Sequence, residues 1–418
     1  MTALGSEPLH LRLRRALRAP GAPPVEVRET HVSWVFLTRE RAYKLKKPVH
    51  FGFIDQSSPE ARRRGCEEEV RVNAVLAPDV VLGVRAVVPS GDSYALDAPS
   101  SPAAVDWVVE MRRFDEDRTM AALIARNALP DGAVPDVAAR IAAFHAETPA
   151  YDAPGHAAAT REEVDDNIAE LVAAEDEPTR ALPRIARFVA AFVARHEAQL
   201  TARGRDGRVR DGHGDLRAEH VVLEDGQVTI VDRLEFDPEL RRVDVADDLA
   251  FLVMDLRALG APAAAEQLID AYRSAGGDPG DDALVAFFAA HRALVRAKVA
   301  LLRAGQRTAD TERARDDESA AADLIRLAEH MTWAARGRRV VLVHGPPASG
   351  KTWLATALSA CSGLPVVSTD AVRKELLGVA ATENAPPAAY APAQRRAVYA
   401  EVGRRAAAAL EHGSVIVD

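Results

Sequence analysis

Gly345-Pro346-Pro347-Ala348-Ser349-Gly350-Lys351-Thr352 fits the phosphate-loop pattern G-x-x-x-x-G-K-[ST] in every defined position. Such a loop turns backbone N–H groups and the positive end of a helix toward a phosphate, so a strand must precede it and a helix must follow. Arg339–His344 (RVVLVH) reads as a short buried strand. Thr352–Ala360 has helical apolar spacing at Trp353, Leu354, Ala357 and Leu358, and Gly363 closes the helix. Gly345, Ser349 and Gly350 then belong to the phosphate cradle, Lys351 supplies charge to the outer phosphates, and the Thr352 hydroxyl serves Mg²⁺. Strand–helix alternation continues through LPVVS (364–368), an Ala/Arg helix from about Pro392 to Glu411, and SVIVD (414–418). An open parallel sheet needs strands and helices on both sides of its switch point. Stopping at Asp418 leaves three strands, so the sequence reads as a fragment of a longer protein.

A second phosphoryl-transfer signature lies upstream. His213-Gly214-Asp215-Leu216-Arg217-Ala218-Glu219-His220-Val221 is followed by an apolar run and by Asp232 in VTIVDRLEFD. In kinase-type sites an Asp on a short loop orients the attacking hydroxyl and accepts its proton, while a second Asp just after a strand holds Mg²⁺ against the phosphates. Asp215 and Asp232 occupy those two places. The strand Arg41–Lys46 supplies Lys44 as the phosphate lysine, with Lys46 on the same strand face as the fallback. The helix after it carries Glu67, Glu68 and Glu69, one of which should pair with the strand lysine; neighbouring Val70, Val72 and Val75 point to Glu69 as the inward one. Glu235, Asp237, Glu239, Asp244, Asp247 and Asp248 add carboxylates near the loop, mostly in solvated or structural roles.

At 418 residues the chain exceeds one hydrophobic core, and three stretches separate by composition. Residues 1–114 hold the strand-like segments 31–37, 41–46, 80–88 and 105–111 with one charged helix, 59–76. Residues 115–335 are mostly helical, broken near Thr148–Gly155 and Asp176–Pro183, with a charged stretch at Gly305–Glu318. Residues 336–418 form the phosphate-loop domain. A net charge of −9, from 53 basic and 62 acidic residues, argues against a dedicated nucleic-acid coat. The N-terminus lacks a secretory h-region, and no run approaches the ~20 apolar residues of a membrane helix, which points to the cytoplasm. Cys66 and Cys361, far apart and without metal spacing, read as buried thiols.

HGDLRAEHV, VDRLEFD and Asp247-Asp248-Leu249-Ala250 together resemble the aminoglycoside phosphotransferase-like branch of the protein-kinase-like fold. Residues 25–418 as a whole resemble bacterial fusions of such a domain to a P-loop small-molecule kinase. The resemblance implies an α+β two-lobed kinase-like domain (N-lobe 1–114, helical C-lobe 115–335) followed by a partial α/β P-loop NTPase domain. It also implies ATP and Mg²⁺ as cofactors, Asp215 as catalytic base and Asp232 as metal ligand. The family pattern usually has Asn five residues after the catalytic Asp. Here that position is His220, whose imidazole can ligate a metal although Mg²⁺ prefers oxygen.

The C-terminal stretch resembles the zeta-toxin, gluconate-kinase and polynucleotide-kinase group. For Ser368-Thr369-Asp370-Ala371-Val372-Arg373-Lys374 that resemblance implies Asp370 on the acceptor hydroxyl and Arg373 on a substrate or phosphate anion. A helix N-cap is the structural alternative for Asp370. Asp418, closing an apolar strand, has the setting of a Walker-B-type Mg²⁺ carboxylate. The expected protein is an ATP-dependent phosphotransferase with two nucleotide-binding modules, whose partners are ATP and small hydroxylated metabolites. The rival expectation, which His220 favours, makes the first module a pseudokinase-like sensor regulating the P-loop module. The acceptors and the oligomeric state stay open at the level of sequence.

Overall fold

The computed structural model describes residues 7–18, 21, 23–51, 54–172, 180–306, 311–346 and 348–418. Pro347 of the phosphate loop, and parts of the Asp176–Pro183 and Gly305–Glu318 stretches, lie outside the described residues. Two compact units result: Met1–Asp152 with Gly207–Asp278, and Ala153–Asp206 with Pro279–Asp418.

The first unit opens on a six-stranded antiparallel sheet in the order β1 (Glu26–Glu29), β2 (Ser33–Leu37), β3 (Arg41–Lys46), Asp106–Arg112, Val81–Ser90, Ser93–Asp97. Strand alternation sends successive side chains of β3 to opposite faces. Leu45 joins a core of Leu13, Phe36, Val87 and Val108, where helix α1 (Leu9–Ala16) contributes Leu9 and Leu13. Lys44 and Lys46 therefore face the other side, where helix α2 (Pro59–Asn73) lies against Trp107 and Val109 through Cys66. The Ser58 hydroxyl caps α2 by accepting from the Ala61 N–H at 3.1 Å, and Pro59 takes the first helical position, where its missing N–H costs nothing. Arg62 on α2 forks onto Asp106 (Nε to Oδ1 3.0 Å, Nη2 to Oδ2 2.8 Å) and fixes the helix to the sheet.

The rest of this unit is helical around a small β scaffold. Strands Val221–Glu224 and Gln227–Ile230 form a hairpin whose Asp225-Gly226 turn has positive φ at both residues, as a type I′ turn demands. Strands Val209–Asp211 and Arg242–Asp244 pair antiparallel. Helices Ala133–Glu147, Val245–Ala258 and Pro262–Ser274 pack below. Of these short strands the sequence pattern anticipates the one before Asp232; the others are too brief to show a period.

In the second unit, helices His156–Val172, Leu182–Arg205, Asp282–Gln306 and Thr311–Ala334 pack together, with Phe192 stacked on Phe287 at 4.4 Å. The chain then forms a parallel sheet in the order Val340–Leu342, Val415–Val417, Val366–Val367. Helix Lys351–Ser362 packs on it through Ala355, against Val343 and Ile416. Gly363 ends that helix with φ 70°, and a Cβ there would lie 2.9 Å from the His330 ring. Helices Thr369–Leu377 and Pro392–His412 bury Val372, Val398 and Val402 against Val415 and Val417.

Of the two cysteines, Cys66 is buried and Cys361 only half-buried. Burial pushes the Cys66 thiol up to about 12. A thiol reagent at pH 8 should therefore modify Cys66 only as fast as the sheet unfolds, well after Cys361, as mass-resolved labelling would show.

Candidate active site

Lys44 and Lys46 converge on one carboxylate. Lys44 Nζ lies 2.9 Å from Glu69 Oε1 and 3.2 Å from Asp232 Oδ1. Lys46 Nζ lies 2.8 Å from Glu69 Oε2 and 2.7 Å from Glu235 Oε1. Glu69 is carried inward on the α2 face that also buries Arg62, Cys66, Val72 and Asn73. Val75 is exposed, so it was not the neighbour that signalled the inward face. Glu67 pairs with Arg63 at the surface, and Glu68 with Arg71 and Arg241. Side-chain exposure separates the groups: Lys46 has 1%, Lys44 13% and Asp232 53%. Lys44 and Asp232 can meet a ligand, whereas Lys46 is sealed.

Asp232 follows strand Gln227–Ile230 by two residues and holds φ at 62°, a left-handed conformation that costs a non-glycine residue about 1–2 kcal/mol. The charge of Lys44 holds its carboxyl well below the usual carboxylate range. Two ammonium groups thus meet three carboxylates, a balance that a cation at Asp232 would complement.

The loop bearing Asp215 is built from backbone bonds to one buried side chain. Asp248, at the start of helix Val245–Ala258, accepts from the His213 N–H (2.6 Å, Oδ2) and the Gly214 N–H (2.9 Å, Oδ1). His145 Nε2 lies 3.0 Å from Asp248 Oδ2, and Tyr272 OH is 2.8 Å from His145 Nδ1. Burial raises the Asp248 pKa, but these bonds outweigh it and keep the group below the ordinary carboxylate range. A Cβ at Gly212 would lie 2.7 Å from Asp248 Oδ2, and Gly214 holds φ at 84°, so both glycines are required by the turn. Burial lowers the His213 pKa to about 4, and the neutral ring fits both neighbours: Nε2–H donates to the Val231 carbonyl at 3.0 Å and Nδ1 accepts from the Asp215 N–H at 3.3 Å.

His220 reaches back from the end of the same loop. Its Nδ1 lies 2.8 Å from the Asp215 carbonyl, which fixes Nδ1–H as donor, and its Nε2 accepts from Arg217 Nη2 at 3.0 Å. Asp232 Oδ2 stands 3.6 Å from that Nε2. The imidazole lone pair is thus spent on Arg217 in this arrangement. Arg217 Nε also donates to Asp215 Oδ1 at 3.0 Å, and its Nη1 meets Glu219. No motif in the sequence singles out Arg217, although its place two residues after Asp215 is the available signal. Nor does a motif single out Arg233 or Asn73. Asn73 accepts from the Arg233 N–H at 2.8 Å and donates to its carbonyl at 3.2 Å, pinning the residue after Asp232 to α2.

In the second unit the described residues of the Gly345–Thr352 loop lead into a helix. Gly350 (φ 84°) caps helix Lys351–Ser362, and a Cβ on Gly345 would meet Ser349 Oγ at 2.7 Å. Lys351 Nζ donates to the Pro346 carbonyl at 2.8 Å, curled over its own loop. Thr352 Oγ1 donates to Asp418 Oδ2 at 3.0 Å, bringing the two expected Mg²⁺ groups together from strand end and helix start. Ser368, not Asp370, caps helix Thr369–Leu377. Asp370 instead bonds Arg373 Nη1 at 3.3 Å and Lys374 Nζ at 3.0 Å, and the Arg373 guanidinium lies 4.6 Å from the centre of the Tyr390 ring. Among the described residues no three His, Cys, Asp or Glu side chains converge as a metal cage. Mg²⁺ beside ATP needs only one or two protein oxygens, and Asp232, or Thr352 with Asp418, fits that demand. Among the described residues no helix is long and apolar enough to cross a membrane.

The first unit thus has the elements of a protein-kinase-like fold: an antiparallel sheet, one crossing helix with a Lys–Glu pair, and a catalytic-type loop before a hairpin that ends in Asp. Residues 340–418 match the family described as AAA domain. Two mycobacterial proteins, the uncharacterized Rv2004c of Mycobacterium tuberculosis and Mb2027c of Mycobacterium bovis, are each 35% identical over 410 residues, covering 95% of this chain and 78% of theirs. The chain belongs to the family of these proteins. Among solved structures it is similar to a choline/ethanolamine kinase family protein from Mesorhizobium loti (15% identical, TM-score 0.45, covering 76% of this chain and 94% of that one). It is also similar to a glucosamine kinase (19% identical, TM-score 0.38, covering 76% and 80%).

Because Asp248 is ionised in the folded state below the pH where an unfolded carboxyl titrates, its stabilisation is present above the ordinary value of 3.8 and is lost as pH falls through and below it. Asp248→Asn should cost about 3 kcal/mol at pH 7, because two buried N–H donors lose their charged acceptor, and should flatten the fall in stability below about pH 4. Urea melts of both proteins across that range measure the effect.

Proposed function

We propose that the protein is an ATP-dependent phosphotransferase with two nucleotide-binding modules, acting on hydroxyl groups of small metabolites. The observation that carries this is the Lys44–Glu69–Asp232 chain of contacts beside the Asp215 loop. We assign the first module to residues 1–335, with N-lobe 1–114 and C-lobe 115–335, and the second, the P-loop domain, to residues 336–418.

In the first module Lys44, held upright by Glu69, contacts the ATP phosphates, and Asp232 holds Mg²⁺. Asp215 accepts the hydroxyl proton and aims the oxygen at the terminal phosphorus. Arg217, already on Asp215, is placed to meet charge that develops on the transferred group. His220 fixes the loop through the Asp215 carbonyl and stands next to the metal position rather than in it, since Arg217 occupies its Nε2. In the second module Gly345, Ser349, Gly350 and Lys351 cradle phosphate, Thr352 and Asp418 hold Mg²⁺, and Asp370 and Arg373 meet the acceptor. Bound by Asp232, or by Thr352 with Asp418, Mg²⁺ would supply positive charge against the phosphates.

A second reading has its own support. Arg217 neutralises Asp215 and blocks His220, an arrangement that also suits a pseudokinase-like domain sensing nucleotide or metabolite and regulating the P-loop module.

Phosphate transfer from ATP, screened over sugars, nucleosides and aminoglycosides, separates the two. On a true acceptor, Asp215→Asn should lower turnover by about 10²-fold or more and leave ATP affinity within a few-fold. Transfer that Asp215→Asn leaves intact would refute the assigned base, and a parent without any transfer favours the sensor. Lys351→Ala should remove one of two ATP sites by calorimetry and leave the other. His220→Asn should preserve Mg²⁺-dependent ATP binding, whereas Asp232→Ala should abolish it.

A further inference from the structure

We propose that Lys46 is a positioning residue: with Glu69 and Glu235 it locks the loop carrying Asp232 onto helix α2, without itself meeting the nucleotide. The inference rests on the reading of this site as an ATP–Mg²⁺ cleft, and it concerns what holds that cleft in shape.

Lys46 is sealed, at 1% side-chain exposure, so no phosphate reaches its ammonium. Its contacts are instead divided between two elements: Glu69 Oε2 on α2 at 2.8 Å and Glu235 Oε1, three residues beyond Asp232, at 2.7 Å. Because Lys44 takes the other oxygen of Glu69, one carboxylate orients both lysines and cannot rotate without breaking one pair. Burial works against the Lys46 charge, but Glu69 and Glu235 outweigh it and keep the group protonated.

Two further observations point the same way. Asn73, one turn beyond Glu69, holds both backbone groups of Arg233, so the 232–235 loop is fastened to α2 at two places. Gly65 lies where α2 passes Lys46, and a Cβ there would stand 3.0 Å from Lys46 Cε and 3.1 Å from Cδ. Glycine weakens a helix interior. Its presence is accounted for by the space the lysine stem fills. Lys46 thus bridges helix and metal loop; when it is displaced Glu69 still has Lys44 as partner, so the change falls on the loop carrying Asp232.

The test uses the full chain with Lys351→Ala, so that ATP reports on the kinase-like site alone. Two variants are added separately. Gly65→Ala keeps every charge, favours the helix and crowds Lys46; Lys46→Met with Glu235→Gln removes the pair together and leaves no buried charge unpaired. Calorimetry with MgATP and with metal-free ATP, alongside thermal melts, gives the readout. Both variants should lose about tenfold or more in MgATP affinity, the scale of groups that orient a metal ligand. Metal-free ATP affinity should stay within about threefold, and Gly65→Ala should melt at or above the parent temperature. MgATP affinity within twofold of the parent, or a loss shared equally by metal-free ATP, overturns the assignment and leaves the cluster structural. If the double variant does not fold, Gly65→Ala decides alone. No ATP binding at all in the Lys351→Ala protein overturns the cleft reading itself and the inference with it, a result distinct from binding that the variants leave unchanged.

Discussion

Two ammonium groups stand on one face of a single strand, and helix α2 covers that face. A buried charge without a partner costs several kcal/mol, so the arrangement is tolerable only where carboxylates meet each lysine. Glu69 meets both, Asp232 meets Lys44, and Glu235 meets Lys46. That requirement fixes which turn of α2 lies over β3, and through Glu235 it fixes where the chain runs after the Val221–Ile230 hairpin. Sheet, helix and loop are thereby brought into one constellation by charge pairing, while the surrounding apolar core supplies the bulk of the stability.

The Asp215 loop depends on a constraint of the same kind. Backbone N–H groups of a tight turn need acceptors, and in the interior only another part of the chain can supply them. Asp248 does so from the first turn of a helix, held by His145, which is itself bonded to Tyr272. The carboxylate is charged, so its bonds to the loop are strong. Gly212 and Gly214 leave the room that the approach needs. The phosphate loop of the second unit relies far less on side chains. Its geometry is a matter of glycine conformations and a helix start, with Thr352 and Asp418 joined across the strand end.

The phosphate loop was legible because its recognition elements are contiguous: a strand, a glycine turn, a helix and the residues between them are local in sequence. Strand and helix positions in the N-terminal half were legible for a related reason, since alternation in Arg41–Lys46 and α-periodicity in Pro59–Asn73 are properties of neighbouring residues. The same alternation placed Lys44 and Lys46 on one face. It could not say which of them is sealed, because exposure is set by α2 and Glu235, far away in the chain. Of the valines that point to Glu69 among three acids, Val75 is exposed; what turns Glu69 inward is the helical spacing of Arg62, Cys66 and Asn73.

Sequence by itself determined the presence of two phosphate-type motifs, the order of lysine, glutamate and two aspartates, and the strand and helix that carry them, because each is encoded in local spacing. Tertiary structure decided the pairings. It gave Asp248 to the loop backbone rather than to solvent, Glu235 to Lys46, the His220 lone pair to Arg217 and the helix cap to Ser368 instead of Asp370. The physical reason is that a charged or hydrogen-bonding group buried by folding takes whatever partner the packed chain brings within about 3 Å, and no period in the sequence records that distance.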